Sequence, residues 1–97
     1  MEIIQLEFVN ERDLYLAYMP FLKSGGLFIR TSEPIDLGTE FKLLISLPDS
    51  LEESEVEGKV VWITPIGSQH GTPAGIGIGF VEDPENVKIQ IEKSITR

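Results

Sequence analysis

Apolar and polar positions alternate along most of this chain with the period of β-structure. Ile3, Ile4, Leu6, Phe8 and Val9, with Gln5 and Glu7 interleaved, predict a short first strand. Asn10-Glu11-Arg12-Asp13 follows as turn or helix-start chemistry, with Asn10 placed to cap a short helix. Leu14 to Met19 is expected to form that helix or an irregular turn, and Pro20 disfavours helical geometry at Met19 and ends it. Gly25-Gly26 marks a tight turn into a second strand, Leu27 to Thr31, and the breakers between Ser32 and Gly38 make a loop. Phe41 to Leu47 reads as a third strand, closed by Pro48-Asp49, and the acidic stretch Asp49 to Ser54 as a solvated connection.

Val56 to Thr64 predicts a long fourth strand. Glu57, Lys59, Val61 and Ile63 take one face of it and Val56, Gly58, Val60, Trp62 and Thr64 the other. Pro65 to Pro73 is a hairpin loop, and Gly75 to Phe80 a fifth strand with its glycines on one face and Ile76, Ile78 and Phe80 on the other. In the tail, Val87 to Glu92 alternates like a strand, yet Val87, Ile91 and Ile95 also fall at helical spacing. Asp83-Pro84 is a good helix start, and Lys93 and Arg97 lie where a helix dipole favours cations. A C-terminal helix is the favoured reading. Several short strands with Gly and Pro turns imply a mainly β fold, a small antiparallel barrel or sandwich with the helix over one opening or edge.

Length makes this a single domain, residues 1–97, with one modest core. The absence of cysteine excludes a disulfide framework and a Cys-rich metal site. No signal segment begins the sequence and no apolar run is long enough to span a bilayer, so a cytoplasmic location is expected. Charge narrows the picture further. The formal net charge is −8, and the eight Lys and Arg are scattered. With no basic stripe, binding to nucleic acid or directly to an anionic membrane is not expected.

The segments Tyr15-Leu16-Ala17-Tyr18-Met19-Pro20-Phe21, Ser24-Gly25-Gly26-Leu27-Phe28-Ile29, Gly58 to Pro65 around Trp62, and Ala74 to Phe80 together resemble the PilZ domain family. The likeness covers most of the chain and is strongest to the family's type IV pilus assembly branch. It implies a PilZ-type β-barrel, six-stranded in typical members, with a C-terminal helix and a short N-terminal helical turn. Typical members bind cyclic di-GMP through Arg-x-x-x-Arg and a later Asp/Asn-x-Ser-x-x-Gly. Setting that Gly on Gly26 puts Phe21 at the acid or amide and Lys23 at the serine, and no Arg-x-x-x-Arg occurs: Arg12 is followed at the paired position by Leu16. Arginine clamps phosphate and guanine edges with a planar pair of donors. Losing two charge-assisted hydrogen bonds of about 1.5–3 kcal/mol each weakens binding about a hundred-fold to ten-thousand-fold. Weak or no cyclic di-GMP binding, and no cofactor, is therefore expected.

The pilus-branch likeness implies a non-catalytic adaptor in pilus assembly and twitching motility. Its implied partners are the pilus extension ATPase PilB and, in some bacteria, the EAL-domain regulator FimX. Members of that branch often carry a further tail, so any partner contact held there is not expected of residues 1–97. Tyr15, Tyr18, Met19, Pro20 and Phe21 form an unusually dense apolar set for a connecting segment, and tyrosine is enriched at interfaces. They are the candidate partner-binding residues, with Tyr15, Tyr18 and Met19 foremost. Trp62 joins them, although Trp62 and Phe28 more often suit a core. The Gly75, Gly77, Gly79 triplet lacks the following helix of a dinucleotide fingerprint and reads as a close-packed or strongly coiled strand. His70, alone in a polar loop, supports neither a nucleophile–base pair nor a histidine-rich metal site. The acids Asp49, Glu52, Glu53, Glu55 and Glu57 show no calcium-loop pattern.

Overall fold

The computed structural model describes residues 1–67 and 73–96; His70, part of the predicted 65–73 hairpin loop, and Arg97 lie outside the described residues. Five strands and two helices follow one another as β1 (Glu2–Glu7), α1 (Glu11–Ala17), β2 (Gly26–Arg30), β3 (Glu40–Ser46), β4 (Glu53–Thr64), β5 (Gly75–Glu82) and α2 (Val87–Ile95). The strands form one curled, half-barrel sheet in the order β1-β3-β4-β5-β2. The expected mainly β fold with a C-terminal and a short N-terminal helix is present.

Two features differ from a closed antiparallel barrel. The sheet holds five strands, and β1 runs parallel to β3, from Glu2 opposite Phe41 to Glu7 opposite Ser46. A parallel pair needs a long crossover, here supplied by α1, β2 and the loop after it. The other pairs, β3–β4, β4–β5 and β2–β5, are antiparallel.

Alternation decides what each strand buries. Phe41, Leu43 and Ile45 on β3, Val56 and Val60 on β4, and Ile76, Ile78 and Phe80 on β5 all point into one core. Leu14 of α1 and Val87 and Ile91 of α2, none of them solvent-accessible, fill the hollow of the sheet. Each such buried aliphatic side chain contributes about 1.5–3 kcal/mol. The acidic connection is shorter than expected: β4 already starts at Glu53, and Ser54 is buried.

Helix α1 begins as its sequence dictates, whereas α2 starts at Val87, three residues beyond the expected Asp83-Pro84 start, with Asn86 at the N-cap. Asp13 N–H donates to Asn10 Oδ1 at 2.8 Å, capping α1. At α2 the Asp83 carboxylate accepts from Val87 N–H at 2.6 Å and Lys88 N–H at 3.0 Å. It thereby satisfies first-turn donors that have no partner within the helix. Among the described residues no helix is long and apolar enough to cross a membrane.

Candidate protein-contact surface

Helix α1 has only seven residues, and only Leu14 is fully buried along it. Tyr15 and Leu16 therefore face outward, 65% and 64% exposed. The chain leaves the helix at Tyr18 in an extended conformation, bridges Leu27 of β2, and bonds Met19 N–H to the Gly26 carbonyl at 2.9 Å. Gly25, at φ +78°, makes the turn back into β2 in a backbone region that disfavours side chains.

Extended backbone sends successive side chains to opposite sides, and this corrects the expected exposure of two of the three foremost candidates. Tyr18 and Met19 are each only 6% exposed. Tyr18 packs its ring into the core beneath the helices. Met19 goes to the other face of the sheet, where its Cε and Sδ fill the space that a Cβ on Gly77 would need. Both are nearly covered, so a Tyr18→Ala change removes core packing and not an exposed side chain.

Trp62 is 55% exposed, so it is not the core aromatic that simple alternation implies. Val60 pairs with Ile78 and Trp62 with Gly77, which makes Val61 the extra residue of a β-bulge. The bulge turns the end of β4 out of phase. Trp62 then lies over Gly77 beside Met19, with its indole N–H donating to Thr64 Oγ1 at 2.9 Å. Phe28, half-buried, fills the corresponding space over Gly75. The glycine strand is thus close-packed on its outer face.

The predicted residues separate into two places. Tyr15, Tyr18 and Pro20 line a cleft of about 560 Å³ between α1 and α2, together with Leu16, Glu92, Ile95 and Thr96. Met19 and Trp62 meet on the outer face of the sheet. Phe21, 74% exposed in the turn after Pro20, is not among the residues lining the cleft. The sequence barely marks the α2 half of the cleft. Its one visible signal was Ile95, last member of the helical series Val87, Ile91, Ile95; only the contact of α2 with α1 places it beside Tyr15.

Among the described residues, Glu92 is the single charged one lining this cleft. It accepts from the Tyr18 hydroxyl at 2.7 Å and pairs with Lys88 Nζ at 3.4 Å. The Tyr18 hydrogen bond, ahead of Lys88, holds the Glu92 carboxyl below its ordinary range against a smaller opposing effect of burial. Burial in turn raises the Tyr18 phenol well above its ordinary value, with Glu92 adding to the shift.

A second cavity, about 480 Å³, opens between the β1 and β2 edges and is mixed in character, with Glu2, Arg30, Glu33 and Asp36 beside Ile4 and Ile29. Among the described residues no three His, Cys, Asp or Glu side chains converge on a point that suits a metal ion. Around the turn, Phe21, Lys23 and Ser24 are all exposed, and Arg12 is exposed on α1. The surface the cleft offers is apolar, with one carboxylate.

A comparison with curated proteins gave no match. The family model described as the PilZ domain matches residues 3–97, nearly the whole chain. With its curled β-sheet, short first helix and C-terminal helix, the chain belongs to the PilZ domain family.

Proposed function

We propose that this PilZ domain is a non-catalytic adaptor of type IV pilus assembly and twitching motility, working in the cytoplasm through protein contacts. On this reading its partners are the pilus extension ATPase PilB and a cyclic di-GMP-responsive EAL-domain regulator of the FimX kind, and it does not itself bind cyclic di-GMP. The observation that carries the reading is the exposed apolar wall made by Tyr15 and Leu16. Leu16, four residues after the lone Arg12, lines a cleft with Tyr15, Pro20 and Ile95. Phe21 and Lys23, at the other half of the ligand motif, are exposed as well. The net charge of −8 further opposes a dianionic ligand.

Calorimetric titration with cyclic di-GMP separates this from the alternative, a direct nucleotide sensor, which draws on family membership. The adaptor reading expects no micromolar binding; a robust saturable heat would establish the sensor instead. The residues that now represent the contact surface are Tyr15 and Leu16, with Pro20, Phe21 and Trp62 as further exposed candidates.

A further inference from the structure

The cleft between α1 and α2 has apolar walls and a single ionic point. Tyr15, Leu16, Pro20 and Ile95 supply the walls, and among the described residues no cation lines it. Among the described residues, both contacts of the Glu92 carboxylate, from Tyr18 and Lys88, fall on Oε2. Oε1 therefore keeps its lone pairs for another donor. The carboxylate is also fixed in place, because the tyrosine that holds it is buried in the core. Lys88 is the neighbouring cation from α2, and it is already engaged with Glu92.

An incoming carboxylate or phosphate would meet this charge, which among the described residues only Lys88, outside the lining, offsets. An incoming guanidinium or ammonium would find an oriented acceptor next to apolar surface, on a chain of net charge −8. We infer that the cleft seats an amphipathic, basic segment of a partner protein, with apolar side chains packed on Tyr15, Leu16 and Ile95 and an Arg or Lys donating to Glu92 Oε1. The inference deepens the adaptor reading and rests on it, and the mode is that of a helix laid in a groove.

The test uses two synthetic helical peptides with the same Leu and Phe positions, one with Arg and Lys on its polar face and the other with Glu. Each is titrated into the isotope-labelled full chain and followed by amide NMR. The basic peptide is expected to shift the amides of residues 15–19 and 92–96. Glu92→Gln, which keeps an acceptor for Tyr18, should weaken that binding about tenfold or more, a full loss of one charged contact. Glu33→Gln, in the exposed loop after β2, should leave it unchanged, and Leu16→Asp should abolish it. Equal affinity for both peptides, binding of neither, or indifference to Glu92→Gln overturns the inference. Capture of the extension ATPase is scored separately. If capture depends on Leu16 while neither peptide binds, the inference falls and the adaptor reading stands; if capture also ignores Leu16, both fall.

Discussion

Tyr18 joins the core to the surface: its ring packs under the helices while its hydroxyl reaches out to Glu92 on α2. The hydrogen bond favours the ionised carboxylate, so Glu92 holds its proton less tightly in the folded chain than in the unfolded one. Its stabilisation is complete above the ordinary carboxylate range and disappears as acid protonates it. Glu92→Gln is therefore expected to remove part of the loss of stability below about pH 4.5, leaving neutral-pH folding intact. Urea denaturation of both proteins across the acid range checks this; parallel curves would contradict it. The density of aromatic residues from Tyr15 to Phe21 was visible in the sequence, but its division was not. A run of apolar residues gives no sign that the chain leaves its helix at Tyr18, and that departure sends Tyr18 and Met19 to opposite faces of the sheet.

At the level of elements, the sequence carries local signals and hardly any long-range ones. Asn10 marks the start of α1, and Asp83 bonds the first-turn donors of α2 although that helix starts only at Val87, because such contacts involve residues only a few positions apart. Asp83→Ala, which strands two first-turn donors, should cost about 1 kcal/mol; an unchanged urea midpoint would remove Asp83 from that role. The parallel β1–β3 pair and the bulge at Val61 depend on partners far along the chain, so no local pattern encoded them. The same bulge explains why Trp62 faces out. The glycines of β5 give an element-scale test. A Cβ on Gly75 would collide with the Ile29 carbonyl and the Phe28 ring, and backbone cannot give way. A Cβ on Gly77 meets mainly the movable end of Met19, at 2.8 Å. Gly75→Ala should therefore destabilise by about 1–3 kcal/mol, and Gly77→Ala by less. Thermal melts showing the reverse order would refute this packing of the outer face.

The whole molecule is a half-barrel whose hollow is filled by two helices, and the cleft is a by-product of that arrangement. α1 is too short to bury Tyr15 and Leu16, and α2 comes to rest beside them with Ile95 and Glu92. Family membership and fold class were legible from sequence because the Gly58–Pro65 and Ala74–Phe80 strands are spaced as in PilZ domains. The composition of the cleft was not, because half of it arrives from the other end of the chain. An adaptor on this scaffold binds with what the helices leave exposed. The most direct measurement is the affinity of the purified chain for the pilus extension ATPase, set against a Tyr15→Ala, Leu16→Asp double variant. Both positions are about two-thirds exposed, so the variant should keep the wild-type fold and melting temperature. The adaptor account predicts a loss of about 2 kcal/mol or more, roughly thirty-fold in Kd. A folded double variant that binds the ATPase as tightly as the wild-type chain would contradict it.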